Sequence, residues 1–399
     1  MKPKLLVTCD ALPAPPINGH NKKIHDVLLA LADNYSIECL IYADTHEQLA
    51  HVEKYWKTSG IRFTSLRRRR AFSMLRSATK RLSLPTVTRN FDAEEQIIRE
   101  RLSAGGELRV LIDYISGAPL LGRFKSPHGF ILSGHDCISY LYGEEYRYSS
   151  AFKRRLHFAI RRHFALNAER RFAHRAQVVH LVSDQDATKL KEINPKVCTS
   201  VIGISVSQPE APKLLPFNCR NRKLIWGFLG SDLILEGSRR LLRASLSETT
   251  KPLAGWQFLG GLAEEEAFRR LPELRESGIE YVSRFDDLST RLGSIRSVFL
   301  PDISGTGQKN RMLESLAHGC CVFGLEEVFR GVDERTSNAF VVARDYDELA
   351  RFAAAEEKLA SREMAINGQL LIESGFTLAA LRERWSALLA NLGPIKPDA

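Results

Sequence analysis

The sequence predicts an α/β protein built as two Rossmann-like, doubly wound parallel-sheet domains facing a cleft, and three observations predict it. Short apolar runs alternate with stretches of helical periodicity along the whole chain. Residues 207–218 hold three prolines and no apolar period, and the alternation resumes beyond them. The 399 residues exceed one ordinary core, and a hydrophobic content of 44% is enough to fill two. The expected boundaries are a first domain over 1–206, a linker over 207–218 and a second domain over 219–376, with the last helix, inside 377–399, crossing back onto the first.

The chain opens with a buried-type strand over residues 4–9. It runs into Leu12-Pro13-Ala14-Pro15-Pro16-Ile17-Asn18-Gly19, a rigid loop closing on a glycine. Ile24, Val27, Leu28, Leu31 and Ala32 keep helical spacing, and the next strand covers 37–42, which completes a βαβ unit. Gly19 stands just before that helix, where either a phosphate or a plain turn fits. Residues 62–81 are the most basic segment, centred on Arg67-Arg68-Arg69-Arg70 with Phe72, Met74, Leu75 and Leu82 interleaved; an anionic surface and a solvated charged face are both open. A helix over 92–102 and strands over 109–113 and 130–133 follow. His135 lies at the carboxyl end of the last of these, where ligands of open α/β sheets gather, although a structural histidine bonded to Asp136 fits equally.

A long basic helix is expected over 151–176, with Phe152, Leu156, Ile160, Phe164, Ala168 and Phe172 every fourth residue. Four residues turn ~400°, so this stripe drifts and the helix must bend, break or pack on more than one side. Strands over 178–182 and 201–204 flank a helix that Ser183 caps. In the second half, strands are expected over 223–229, 256–261, 278–282, 297–300, 320–323 and 339–342, with helices over 288–293, 308–318, 346–358, 361–373 and 377–391.

The formal net charge of +10 points to an anionic partner: nucleic acid, a membrane surface or a phosphorylated substrate. The seven cysteines are odd in number and never spaced as a metal or redox pair, so reduced core residues are expected. No run of eighteen apolar residues occurs, and Met1-Lys2-Pro3-Lys4 leads into Leu5-Leu6-Val7 rather than a signal peptide. A cytoplasmic protein is expected, peripheral at the inner face of the membrane if its basic segments touch lipid.

The most informative stretch runs from Arg296 to Gly331. Ser297-Val298-Phe299-Leu300 ends at Pro301, and Ser304-Gly305-Thr306-Gly307 then forms a loop with little side-chain bulk, which lets the backbone approach a ligand. The helix that follows buries Met312, Leu313, Leu316 and Ala317 and stops at Gly319. Strand, bare loop, helix amino terminus and strand make a ready anion site, beside which Lys309 and Arg311 add positive charge and Glu314 offers a carboxylate to a sugar hydroxyl. An exposed ion pair between Arg311 and Glu314 is the bland alternative.

Two α/β halves, a proline-glycine first loop and Gly305-Thr306-Gly307-Gln308-Lys309-Asn310-Arg311-Met312-Leu313-Glu314 before Ala317-His318-Gly319 resemble the GT-B glycosyltransferases, most of all the group 1 (family 4) retaining enzymes. The resemblance covers essentially the whole chain. It implies a nucleotide-diphosphate sugar, UDP- or GDP-linked, as donor, with no cofactor and no metal. Glu314 would accept from the ribose, Lys309 or Arg311 with the amides of Gly305, Thr306, Gly307, Gln308 and Asn310 would hold the diphosphate, and Arg284 and Phe285 would lie at the base. Gly19 would sit near the diphosphate and acceptor, and His135 would touch the transferred sugar. Two departures stand out. Where the family often has a glutamate eight residues before Glu314, this chain has Thr306, and where it has an arginine after the glycine and a lysine a few residues later, this chain has Ser231 after Gly230 and then Glu236.

The implied function is retaining transfer of a sugar to a hydroxyl acceptor, lipid-linked in cell-envelope polysaccharide or glycolipid synthesis, without nucleic acid as partner. A non-hydrolysing nucleotide-sugar epimerase and a non-catalytic basic scaffold are the alternatives.

Overall fold

The computed structural model describes residues 2–10, 12–14, 19–43, 45–68, 89–105, 107–125, 129–206, 215–247, 253, 255–285, 287–304, 306–332 and 338–392. Most of the arginine-rich segment, most of the expected linker, the end of the proline-rich first loop and Gly305 lie outside these residues. The chain forms two compact units. One comprises Met1–Gly143, Leu156–Ser205 and Leu378–Ala399, the other Glu144–Arg155 and Val206–Thr377.

The first unit is a seven-stranded, wholly parallel sheet in the order β3-β2-β1-β4-β5-β6-β7. Its strands are β1 (Lys4–Cys9), β2 (Ser36–Ile41), β3 (Arg62–Ser65), β4 (Leu108–Asp113), β5 (Phe130–His135), β6 (Val178–Leu181) and β7 (Thr199–Val201). Every residue of β4 and β5 is buried, as a sheet covered on both faces requires. The connecting helices are α1 (Gly19–Ala32), α2 (His46–Tyr55), α3 (Phe91–Ser103), α4 (Ile138–Tyr148), α5 (Phe152–Arg171) and α6 (Asp184–Ile193). Side-chain caps start α3 and α6: Asn90 accepts from the Ala93 amide and Ser183 from the Asp186 amide.

The second unit is a six-stranded parallel sheet in the order β10-β9-β8-β11-β12-β13. It uses β8 (Arg222–Trp226), α7 (Asp232–Ser247), β9 (Gln257–Leu259), α8 (Glu264–Arg270), α9 (Glu273–Glu276), β10 (Glu280–Val282), α10 (Leu288–Gly293), β11 (Ile295–Leu300), α11 (Asn310–Ala317), β12 (Cys321–Leu325), β13 (Phe340–Ala343), α12 (Tyr346–Ala354), α13 (Glu356–Leu359) and α14 (Arg362–Gly375). Phe299 stacks on Phe323 at 4.5 Å and meets Trp256 edge-on at 4.9 Å, which fixes one face of this core. The last helix, α15 (Leu378–Asn391), belongs to the first unit, where Leu381, Trp385 and Leu389 join the core that Val27, Leu28 and Leu31 of α1 line.

Three expectations need correction. The apolar stripe expected along α5 is not its buried face. Phe158, Ala165, Ala168 and Glu169 are buried, whereas Phe152 and Leu156 are 79% and 51% exposed. A four-residue repeat gains about 40° per step on the helix, so it winds off the core. The single helix expected over 346–358 is two, α12 and α13, divided at Ala355. Of the cysteines, Cys198 and Cys219 are exposed rather than in a core.

Candidate functional site

In each sheet one pair of neighbouring strands marks the reversal of strand order, between β1 and β4 in the first unit and between β8 and β11 in the second. The loops leaving the carboxyl ends of such a pair diverge and open a crevice, where open α/β sheets bind ligands.

In the second unit these loops are residues 227–231 after β8 and 301–309 after β11. Gly307 takes φ +64°, a conformation that only glycine adopts without strain, and it turns the chain into α11. Gln308 donates to the Gly331 carbonyl at 2.7 Å and the Lys309 ammonium to the Thr306 carbonyl at 3.2 Å, so the loop is pinned at both ends. Thr306 is only 8% exposed, and its Oγ1 is buried with no hydrogen-bond partner among the described residues. An orphaned buried hydroxyl costs about 1–3 kcal/mol. Arg311, at the start of α11, donates to both carboxylate oxygens of Asp302 at 2.8 Å and to the Trp226 carbonyl, tying the two loops together. Glu314 lies one turn further along α11 and is half-buried.

The β8 loop has no cation of its own, yet cations reach it. Arg154 donates through Nε to Asp232 at 2.7 Å and through Nη2 to the Gly230 carbonyl at 3.0 Å, and Arg270 donates to the other Asp232 oxygen at 3.0 Å. Glu145 accepts from the Ser231 hydroxyl at 2.8 Å and the Asp232 amide at 3.2 Å, and Glu144 accepts from Ser304 at 2.5 Å. Burial holds the Glu145 carboxyl above the usual carboxylate range, with Asp232 adding to the shift.

In the first unit the crevice is built differently. His135 ends β5 at φ +63°, and Tyr114, just past β4, sits at φ +70°; both conformations are strained for residues with a Cβ. The His135 Nε2 meets Asp113 Oδ1 at 2.6 Å, while Asp136 pairs instead with Lys23 at 3.3 Å. Arg89 is fully buried against Glu94 at 3.0 Å and donates to Thr8 at 2.9 Å and to the Asp113 carbonyl at 3.3 Å. His180, behind His135, bonds Ser133 and the Ile202 carbonyl; burial, then the nearby His135, pushes its pKa down to about 3.

No protein-family model and no curated protein sequence matches the chain. Solved structures do. A sucrose-phosphate synthase from Thermosynechococcus elongatus superposes with a TM-score of 0.68 at 14% identity, over 98% of both chains. HepE of Anabaena in complex with UDP gives 0.65 at 14% identity, over 98% of this chain and 100% of that one. A glycosyltransferase from Rickettsia africae gives 0.63 at 12%, over 97% and 98%. The fold is GT-B.

Within this GT-B chain, Gly230, Ser231, Thr306, Gly307, Gln308, Lys309, Asn310, Arg311 and Glu314 all belong to the two loops of the second unit's crevice or to the helices that leave them. Gly305 is outside the described residues. Arg284 and Phe285 follow β10, two strands from β8, and line an open hollow of ≈ 680 Å³ with Gln257, Glu280 and Arg291. Gly19 starts α1 and His135 ends β5, both in the first unit. Reading the sequence missed Asp302, Arg154, Asp232, Glu145 and Asp113, each brought into place by strand order or by a segment distant along the chain. Only Asp113 and Asp302 carried a signal, as acids at or just past the end of an apolar strand.

Proposed function

We propose that the chain is a retaining, metal-independent glycosyltransferase that moves a sugar from a nucleoside-diphosphate sugar to a hydroxyl acceptor. The observation that carries this reading is the orphaned Thr306 hydroxyl. It is buried in a pinned glycine loop, at the switch point of a parallel sheet and beside a helix amino terminus, where an oxygen-rich ligand would give it a partner. Glu314 then faces the ribose, the loop amides and Lys309 meet the diphosphate, and Arg284 with Phe285 lies towards the base. Arg311 keeps the two loops in register through Asp302. HepE has been solved with UDP-glucose and with UDP and glucose, which supports a UDP-sugar as the first donor to try.

Departure of the diphosphate builds negative charge that the helix amino terminus and fixed cations stabilise. The leaving phosphate oxygen takes the acceptor proton, and His135 of the first unit contacts the transferred sugar. The acceptor is proposed to be lipid-linked, of the kind used in envelope polysaccharide or glycolipid synthesis, with the enzyme cytoplasmic and peripheral to the membrane. Support comes from α5, whose only acid, Glu169, is buried while Lys153, Arg155, Arg162, Arg170 and Arg171 are exposed beside Phe152 and Leu156. No helix of the described residues is long and apolar enough to cross a membrane.

The decisive experiment is a calorimetric and turnover screen of nucleoside diphosphates and their sugars. A diphosphate should bind, transfer should need an acceptor, and Thr306→Val should lower donor-sugar affinity by roughly tenfold. Absence of binding to every diphosphate tested, or a labelled donor whose sugar is epimerised without acceptor, would overturn the reading. Sedimentation with anionic vesicles at low salt tests the membrane surface, and a protein left wholly in the supernatant rejects it.

A further inference from the structure

We propose that Arg154, carried on the segment Glu144–Arg155, and Arg270 of α8 form the cation pair that holds the donor's diphosphate at the β8 loop. The inference rests on the nucleotide-sugar reading and names residues that lie outside every loop sequence considered above. Two guanidinium groups converge on one carboxylate, Asp232, at 2.7 and 3.0 Å. Each is also anchored to backbone of the β8 loop, Arg154 by the Gly230 carbonyl and Arg270 by the Leu229 carbonyl. Asp232 is fixed in turn by the Ser149 hydroxyl, so the pair is oriented before any ligand arrives.

The charge count separates this pair from the other cations of the crevice. Arg311 is matched one to one by Asp302. Arg154 and Arg270 share a single aspartate, and the remaining acid, Glu145, holds its proton more tightly than an ordinary glutamate because it is buried. The arginines repel each other: Arg270 is lowered from its ordinary value by burial first and by Arg154 next. Two cations with too little counter-charge gain from a polyanion, and both reach the surface, at 38% and 18% exposure. The loop itself offers only Gly227, Phe228, Leu229, Gly230 and Ser231, so a diphosphate lying there takes its positive charge from these two residues.

The test measures binding of UDP, GDP and ADP, each against its monophosphate, to wild type, Arg154→Ala, Arg154→Lys and Arg270→Ala. Wild type should prefer one diphosphate over its monophosphate. Each alanine variant should weaken that diphosphate by about 10- to 100-fold while changing the monophosphate by less than about threefold, with partial recovery in Arg154→Lys because lysine keeps the charge but not the fork. The two arginines stand on different helices, so a folding defect in one variant leaves the other informative. If wild type prefers a diphosphate and both alanine variants keep that preference, or lose both ligands equally, the cation pair is wrong and the nucleotide-sugar reading stands. If wild type binds none of the six nucleotides, the broader reading falls and takes this inference with it.

Discussion

The two sheets place a switch point in the same kind of position and fill it with opposite chemistry. In the first unit the crevice between β1 and β4 is closed by paired groups: Arg89 on Glu94, His135 on Asp113, Lys23 on Asp136. Its charges are balanced and its backbone is strained at Tyr114 and His135. In the second unit the crevice between β8 and β11 has glycine-rich loops, an orphaned hydroxyl and more cation than acid at Asp232. The difference teaches that one topology supports two jobs. A rigid, neutralised wall suits the positioning of hydroxyl groups, and a bare, positively biased loop suits the capture of a leaving anion.

The largest effect that could break this division is expected at His135. Replacing it with alanine should lower kcat by about 100- to 1000-fold, the scale of losing one fixed contact to the reacting sugar. Nucleoside diphosphate affinity should stay within about twofold, because that ligand belongs to the other crevice. Calorimetry beside steady-state kinetics separates the two quantities. A variant that loses diphosphate binding along with turnover would show that the units do not divide the work.

A smaller effect, on stability, is expected at Gly237. This glycine lies in the second turn of α7, and a Cβ built there would stand 1.7 Å from the Pro301 carbonyl oxygen at the start of the β11 loop. The helix that begins at the β8 loop therefore packs directly on the backbone of the other loop. Gly237→Ala should destabilise the protein by about 3 kcal/mol through overpacking, despite the higher helix propensity of alanine. Thermal unfolding with and without a nucleoside diphosphate measures it. An unchanged melting temperature would mean that the two loops are not held by this contact.

Gly237 also shows why part of the fold was hidden in the sequence. A glycine and Ser238 inside 232–247 interrupt the apolar period, and no helix was expected there, because the reason for the glycine is a carbonyl some sixty residues on. The β11 loop was legible for the opposite reason: its glycines, its helix start and Glu314 are contiguous, so local pattern and final geometry coincide. The seven core strands with continuous apolar runs were legible too, since a sheet covered on both faces needs nothing else. What spacing could not convey was pairing across strands. Asp113 reaches His135 only because β4 and β5 are neighbours, and Arg154 reaches Asp232 only because Glu144–Arg155 belongs to the second unit. On α5 the eye followed a four-residue repeat, whereas the helix buried residues at its own 3.6 period.

The smallest expected effect sharpens the claim that the first unit is charge-balanced, because Glu169 is its exception. This carboxyl is buried at the amino end of α4, where its Oε1 accepts from the Ser139 amide at 3.1 Å and its Oε2 has no hydrogen-bond partner among the described residues. Burial is the main cause that raises its pKa to about 7, against the pull of the Ser139 contacts. The unfolded chain releases this proton near the ordinary glutamate value, so between roughly pH 4.5 and 7 the folded state binds more protons than the unfolded one. The contribution of this group to stability is therefore present below that window, is lost as pH rises through it and is level above about 7. Glu169→Gln keeps a neutral side chain at every pH. It should flatten the acid-side slope and be more stable than wild type at pH 8, relative to pH 4.5, by about 1–2 kcal/mol. Melting temperatures of both proteins across that range check it, and parallel curves would show that the buried carboxyl already has a partner for its charge.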